Sequence, residues 1–256
     1  EQYVLGMIEY VRHRNIVVIC VDRYHCLHFS QGTGFPSDRL VYIPLHGHVT
    51  HERFPALDVT VSSLAADFTG YTNPLYYEAE IHDRDVKYDQ QRNRVVMSDR
   101  SSCLTDLYDS FMAANKLVDL VQHASYGGPQ TLSRYTAVVY IPYHFSTMAL
   151  QEHLSLGLMV LVPDREMHHR CHYTQVYGTE LNILKHIDML DVYSGPLVSM
   201  LTFFSSLEEL KRYIHTVSLY SEEEVQQLKK TRAAVMQKYN SDIISKWKHV
   251  FESISH

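Results

Sequence analysis

The sequence predicts an α/β fold in which helices flank a parallel sheet. Two short apolar runs, residues 137–141 and 158–162, have the composition of strands buried on both faces of such a sheet. Between them, residues 148–156 are strong helix formers followed by Gly157, a favourable residue at a helix C-terminus. Strand, polar turn, helix and strand make one βαβ unit, whose turn lies at the carboxyl end of the first strand. Open α/β sheets bind ligands at that edge.

Upstream of this unit, apolar runs and chain breakers predict a helix, a strand and a loop. Apolar residues at helical spacing predict a helix over residues 2–13, and the continuous apolar run 16–21 predicts a parallel strand after it. Residues 22–37 contain Gly34 and Pro36, so we expect a long loop there.

A boundary between two domains is predicted near residue 50. Residues 40–45 form a further short strand, and the turn after it carries the imidazole of His46. A polar stretch with a proline follows. We therefore expect residues 1–50 to be the end of one α/β domain and residues 51–256 to form a second one.

Two elements and one arginine precede the central βαβ unit. A short apolar run predicts a strand over residues 94–97, and apolar residues at intervals of three and four predict an amphipathic helix over residues 104–121. Arg100 lies between them. An arginine at that edge can hold a phosphate through paired hydrogen bonds, and an exposed surface arginine is the alternative interpretation.

Three helical segments are predicted after the central unit. Ser206 and Glu209 form a capping-box pattern at the start of the first. Ser221 begins the second, in which acidic residues come first and basic residues later, as the helix dipole favours. The last, over residues 240–253, carries its apolar residues on one face.

The turn before the helix of residues 148–156 has the chemistry of a phosphate site. Ser146 and Thr147 lie beside the free backbone N–H groups of the helix start, where the helix dipole favours an anion. Glu152 lies within the first two turns, and its carboxylate can accept hydrogen bonds from the hydroxyls of a ribose. A serine that only caps the helix and an exposed glutamate are the alternative.

The turn and helix carry a pattern made of Ser146, Thr147, Glu152, His153, Gly157, Val160 and Pro163. It resembles the C-terminal Rossmann-like domain of GT-B glycosyltransferases, in which a helix of the form E-H/A-x-x-x-G-x-x-V-x-x-P follows a strand and a Ser/Thr turn. The tryptophan-containing last helix is also similar to the family's C-terminal helix, which crosses back onto the N-terminal domain. The resemblance covers about residues 95–256 and implies that most of the N-terminal domain is missing.

The resemblance implies a set of residues that bind a nucleotide diphospho-sugar. They are Ser146, Thr147, Glu152, Arg100, Tyr126, Gly127, Gly128 and Tyr143. In the family the glutamate binds the ribose and the Ser/Thr turn holds the diphosphate. A glycine-rich segment approaches the base, because glycine lets two chains pass closely.

The catalytic group is less well defined by the sequence. Many retaining members of the family carry a second glutamate eight positions before the ribose-binding one, and this chain has His144 there. An inverting enzyme needs a general base for the acceptor hydroxyl. His144 and His46 are the candidates, with His48 beside the latter, and retaining or inverting chemistry is left open.

Residues 165–173 contain three histidines and a cysteine, which suggests a zinc site. However, His168, His169, Cys171 and His172 are too crowded for all four to close one tetrahedron. No distant pair at ligand spacing completes the set. We therefore expect no metal and a metal-independent reaction.

Composition narrows the class of protein further. The formal net charge of −6 does not favour nucleic-acid binding through a basic surface. No apolar run is long enough to span a membrane. The four cysteines are widely spread without a C-x-x-C pair, so we expect reduced thiols and a cytoplasmic protein.

The sequence thus predicts a glycosyltransferase, of the hexosyl or deoxyhexosyl type, or the donor-binding domain of one. It would transfer a sugar from a UDP- or GDP-linked donor to a glycan or another hydroxyl acceptor, and it would require no cofactor. The alternative is a non-catalytic nucleotide-binding α/β module that needs a partner domain for turnover.

Overall fold

The structure is a computed structural model of the chain. It describes residues 18–20, 22–43, 95–98, 118–121, 132, 134–142, 148–170 and 184–254. The helix predicted over residues 2–13 and the boundary predicted near residue 50 lie outside these ranges.

The first described part of the chain is a strand–helix–strand unit. Strand β1 (Val18–Cys20) pairs in parallel with strand β2 (Leu40–Tyr42), with Val18 opposite Leu40. Both strands lie within the apolar runs that predicted them, so these two predictions are confirmed.

The loop predicted over residues 22–37 is wrong, because most of it is helix α1 (Arg23–Thr33). The Asp22 side chain caps the first turn by accepting from the backbone N–H of His25. Gly34 ends the helix in the left-handed conformation at φ 63°. No residue of α1 is buried. The helix therefore has no apolar face from which its periodicity could be read.

A second sheet contains five parallel strands. They are β3 (Val95–Ser98), β4 (Val118–Val121), β5 (Ala137–Val139), β6 (Met159–Pro163) and β7 (Leu201–Phe204). Their spatial order is β4-β3-β5-β6-β7. The chain thus leaves β3 toward one edge and returns to β5 on the other side of β3. Helices flank this parallel sheet, so the general α/β class is confirmed.

Two strands of this sheet differ from the sequence-based expectation. Residues 118–121 were predicted as the end of a helix, and they form β4 because β3 supplies hydrogen-bonding partners along the register from Val95 opposite Val118. Strand β7 was not predicted. It pairs with β6 from Leu201 to Phe204.

The described helices of this part include the one predicted after β5 and two short helices, over residues 165–170 and 191–194, that were not predicted. They are α2 (Met148–Ser155), α3 (Arg165–Arg170), α4 (Asp191–Ser194), α5 (Leu207–Ser218) and α6 (Glu222–Ile254). The cap of α5 is confirmed, since the Ser206 hydroxyl accepts from the N–H of Glu209 at 3.2 Å. The two last predicted segments are one continuous helix of 33 residues.

Alternate residues of the central strands face opposite sides of the sheet. Val138 and Val160 join one core cluster, which includes Leu150 and Leu154 of α2 and Met236 of α6. Their neighbours Val139 and Leu161 join the other cluster, with Leu210 and Ile214 of α5. This period of two places α2 and α6 on one face and α5 on the other.

Helix α6 packs against residues next to both sheets. Its backbone at Lys229 approaches Gly157 so closely that a Cβ built at Gly157 would lie 2.5 Å from the Lys229 carbonyl oxygen. Further along, Ile243 and Val250 share a buried cluster with Ile43, which follows β2. No helix in the described part of the chain combines the length and the apolar character needed to cross a membrane.

Candidate functional site

The reversal of strand order places the carboxyl ends of β3 and β5 side by side. The two strands are in parallel register from Val95 opposite Ala137 to Met97 opposite Val139. The segment after β5 is described as far as Pro142, and α2 starts at Met148. In open α/β sheets, the crevice at such a reversal is where ligands bind.

Of the predicted site residues, Glu152 lies in the described part of the chain. The others lie outside it: His46, Arg100, Tyr126, Gly127, Gly128, Tyr143, His144, Ser146 and Thr147. Their contacts are therefore not described, and the roles that the resemblance implies for them stay predictions.

Glu152 lies one turn into α2 and is partly buried. Burial raises the pKa of its carboxyl group, because the charged form loses hydration. Glu152 is therefore not an exposed glutamate, and its role in binding a ribose stays a prediction.

The residues on either side of Glu152 are polar and more deeply buried. Gln151 is 1% exposed and His153 is 9% exposed. Among the residues that the structure describes, neither the Oε1 atom of Gln151 nor the Nδ1 atom of His153 has a hydrogen-bond partner. Burial lowers the pKa of His153 to about 4, so its ring is neutral at pH 7. The rings of His153 and Tyr140 are nearly perpendicular, with centroids 5.8 Å apart.

His168, considered above as a metal ligand, is instead part of a buried hydrogen-bond network. It is fully buried, and its Nδ1 atom lies 2.9 Å from the Tyr193 hydroxyl. That hydroxyl donates to the carbonyl oxygen of Pro163 at 2.8 Å. Burial lowers the pKa of His168 to about 4, against the opposing effect of a hydrogen bond to the Pro142 backbone. His168 thus connects the segments that leave β5 and β6.

No group of three potential metal-ligating side chains occurs among the residues whose structure is described. His169 is exposed there, whereas Cys171 and His172 of the suspected zinc motif lie outside the described ranges.

Arg165 fixes a second connection at the same sheet edge. Its guanidinium lies 2.8 Å from the carboxylate of Asp188 and donates to the Tyr193 carbonyl oxygen at 3.1 Å. It also lies 5.2 Å from the centre of the Tyr193 ring. The Tyr193 hydroxyl is hydrogen-bonded to the Pro163 carbonyl oxygen. These contacts connect the carboxyl end of β6 to the segment around α4.

A different polar cluster, which the sequence reasoning missed, lies where β1 enters α1. Asp22 is 1% exposed and contacts both the backbone N–H of His25, at 2.7 Å, and the Nδ1 atom of its ring. An aspartate and a histidine three residues apart at a strand end are a weak signal in sequence. The predicted loop concealed the helical turn that brings them together.

Cys20 and Cys26 form a disulfide across this turn, with their Cα atoms 5.4 Å apart. The expectation of reduced thiols is therefore wrong for this pair. The strand end and the first turn of α1 bring the two residues together although six positions separate them in sequence. The cytoplasmic location was expected because the thiols were expected to be reduced, and that reason does not apply to this pair.

Aromatic rings surround the Asp22–His25 pair. The Tyr24 ring stacks on His28 with centroids 5.6 Å apart and an angle of 7° between the planes. Its centroid is 5.2 Å from that of His186, in the segment before α4. The cluster thus lies between α1 and the segment before α4, whose residues Ile187 and Leu190 are part of the core of the five-stranded sheet.

No protein-family model matches the chain, and a comparison with curated proteins finds no match. The functional argument therefore uses the geometry of the described residues and the pattern in the sequence.

Proposed function

We propose that the chain is the donor-binding part of a GT-B glycosyltransferase, which transfers a sugar from a nucleotide diphospho-sugar to a hydroxyl acceptor. The alternative is a nucleotide-binding module without turnover of its own. Both functions place the diphosphate at the start of α2. They differ in whether this chain alone breaks the bond between the sugar and the diphosphate.

The observation that carries the proposal is the environment of Glu152. The carboxylate is partly buried, and its pKa is raised by burial, on the helix that follows β5 at the reversal of strand order. A ribose offers two adjacent hydroxyls as donors, which would compensate such a carboxylate for its lost water.

Two further observations support a polar ligand near this helix. The buried Gln151 oxygen and His153 nitrogen have no hydrogen-bond partner in the described part of the chain. Leaving such an atom unsatisfied costs about 1–3 kcal/mol, so unsatisfied atoms in a native fold call for an explanation. A bound polar ligand would offer one.

The packing of α6 also supports a GT-B arrangement. The resemblance implies a last helix that crosses back onto the N-terminal domain. In this chain, Ile243 and Val250 of α6 are buried against Ile43 next to β2. One long helix thus packs both next to the strand pair β1–β2 and in the core cluster that contains α2, the helix of Glu152.

In the proposed reaction, the diphosphate leaves with negative charge that the protein must stabilise. The N–H groups at the start of α2, with Ser146, Thr147 and Arg100, would supply this stabilisation without a metal.

The cytoplasmic location stays a prediction. A Cys20–Cys26 disulfide found in protein extracted with thiol trapping would contradict it.

Thermal unfolding with UDP, GDP, dTDP and their sugars tests donor binding. A ligand at 100 times its Kd stabilises the folded state by about 2.7 kcal/mol, which corresponds to roughly 5–10 °C for a protein of this size. We expect one nucleotide to give such a shift and Glu152→Ala to reduce it strongly. The matched control is Glu223→Ala, at an exposed position of α6, which should keep the shift. If none of the nucleotides stabilises the protein, the proposal is wrong.

Hydrolysis of the stabilising nucleotide sugar separates the two functions. A transferase without its acceptor often transfers the sugar slowly to water, which releases free sugar and nucleoside diphosphate. Release that depends on Glu152 supports the transferase. Tight binding without release supports the non-catalytic module.

A further inference from the structure

His168, from the suspected zinc motif, is completely buried on the short helix α3 that follows β6. Its ring is hydrogen-bonded to the backbone of Pro142, at the exit of β5. Its Nδ1 atom lies 2.9 Å from the Tyr193 hydroxyl, which donates to the carbonyl oxygen of Pro163. One imidazole thus links the ends of β5 and β6, which are adjacent parallel strands.

The two strand exits have the same unusual backbone chemistry. Pro142 follows β5, Pro163 ends β6, and both are buried. A proline has no N–H, so its carbonyl oxygen is its only backbone hydrogen-bonding group. The donors to these two oxygens are side chains of α3 and α4. Elements from a later part of the chain therefore hold the exits of β5 and β6.

The same contacts reach α2, the helix of Glu152, through Tyr140. This tyrosine is 6% exposed, and its backbone N–H donates to the Leu161 carbonyl oxygen of β6 at 2.9 Å. Its ring makes an angle of 76° with that of His153, with centroids 5.8 Å apart. Ring pairs in this arrangement attract each other. His153 is next to Glu152 in sequence, so the contact lies one residue from the proposed ribose-binding carboxylate.

Tyr140 and Tyr193 are close enough to interact electrostatically. Burial is the main cause that raises the pKa of Tyr193, and Tyr140 contributes to the same change. The Tyr193 ring also stacks on Phe203 of β7, with centroids 5.9 Å apart, which fixes the position of its hydroxyl. The buried chain of contacts from α3 to α2, here called the strand-exit network, consists of His168, Tyr193, Tyr140 and His153.

We propose that His168 is a positioning residue of the nucleotide site. Its hydrogen bonds to Pro142 and Tyr193 fix the exit of β5, and the strand-exit network thereby fixes Glu152 on α2. This role rests on the proposed function, because it affects binding only if Glu152 contacts the nucleotide. His168 does not itself touch the ligand. It acts by holding a binding group in place, and a displacement of about 1 Å is enough to weaken a site.

Hydrogen exchange tests the positioning without any ligand. His168→Leu removes these hydrogen bonds and keeps a buried side chain of similar size. We expect residues 148–156 of this variant to exchange roughly 3- to 30-fold faster relative to residues 207–218 of α5. His168→Gln, whose amide can donate and accept, should restore most of the protection.

The control for a general loss of stability is Ile214→Ala, in the core cluster on the other face of the sheet. It should not raise exchange of α2 relative to α5. If His168→Leu also leaves this ratio unchanged, His168 does not position α2, whatever the protein binds.

Nucleotide affinity tests the consequence for the site. We expect His168→Leu to raise the Kd of the stabilising nucleotide roughly 3- to 30-fold, His168→Gln to raise it less, and Ile214→Ala to leave it unchanged in the folded protein. A double-mutant cycle with Glu152→Ala identifies the path, because a residue that acts through Glu152 has little further effect once that carboxylate is absent.

An unchanged Kd in His168→Leu, or independent effects of the two substitutions in the cycle, would overturn the role of His168 in binding. Absence of any nucleotide response in the unchanged protein would overturn the proposed function and with it this role in binding. Hydrogen exchange would then still decide whether His168 positions α2.

Discussion

The Nδ1 atom of His168 lies 2.9 Å from the hydroxyl of Tyr193, and both side chains are buried at the carboxyl end of the five-stranded sheet. The hydroxyl of Tyr193 also donates to the Pro163 carbonyl oxygen, so it joins His168 to the end of β6. Sequence analysis considered this histidine only as a metal ligand. Its role in the described structure is to hold the ends of adjacent strands.

The hydroxyl of Tyr193 should therefore matter for stability. Tyr193→Phe removes the hydroxyl that donates to Pro163 and contacts His168, and both buried groups lose a partner. We expect a loss of about 1–3 kcal/mol in the free energy of unfolding, measured with urea. The control is Tyr213→Phe, whose hydroxyl contacts the partly exposed Glu209 at 3.3 Å, with an expected change below about 0.5 kcal/mol. Equal effects of the two substitutions would contradict the network.

Glu152→Gln should stabilise the free protein and weaken its binding of nucleotide. Because burial raises the pKa of Glu152 in the folded state, ionisation costs stability as pH rises above the unfolded value, and the neutral amide avoids that cost. The lost charge-assisted hydrogen bonds to a ribose, worth about 1.5–3 kcal/mol, should weaken nucleotide binding roughly 10–100-fold. Melting curves with and without nucleotide measure both effects. A lower melting temperature for the free variant would contradict the stated cost of the charge.

Gly157 should not tolerate a side chain. Its φ is 72°, and a Cβ would lie 2.5 Å from the Lys229 carbonyl oxygen, which belongs to backbone and cannot easily move. We expect Gly157→Ala to cost at least about 2 kcal/mol from strain and from separation of α2 and α6. Gly32→Ala is the matched control, because nothing lies within 4 Å of its added Cβ and alanine favours the helix. It should be neutral or stabilise the protein by up to about 1 kcal/mol in denaturant unfolding.

Stability should fall as the solution is acidified from about pH 6.5 to pH 4. His153 and His168 have folded pKa values of about 4, below the value of about 6.5 in an unfolded chain. In this window the unfolded state binds more protons, so stability is lost as pH falls, by up to about 3 kcal/mol for each histidine. His153→Leu should reduce the slope of unfolding free energy against pH. An unchanged slope would contradict the buried neutral state of His153.

Local signals in the sequence predicted a large part of the sheet and its helices. The strand at 137–141, the helix that ends before Gly157 and the cap at Ser206 each depend on residues a few positions apart. Glu152 was identified in the same way, from its place on that helix. Its partial burial, which supports a role in binding, depends on neighbours from elsewhere in the chain.

Predictions from sequence were wrong for two reasons. The structure of a segment depended on a strand far away in the chain, or a helix had no apolar face. Residues 118–121 fit a helical spacing, and pairing with β3 makes them a strand. Helix α1 lacks buried residues, so its caps at Asp22 and Gly34 were its sequence signals. The same misreading concealed the Asp22–His25 contact and the Cys20–Cys26 disulfide.

By itself, the sequence determined the α/β class and the helix that carries Glu152, because periodicity, caps and breakers act over a few residues. The tertiary structure decided the order of the strands, the connection of His168 to Tyr193 and the approach of α6 to Gly157. These features arise from contacts between residues far apart in the chain. Such contacts depend on which surfaces pack together, and local spacing does not encode that choice.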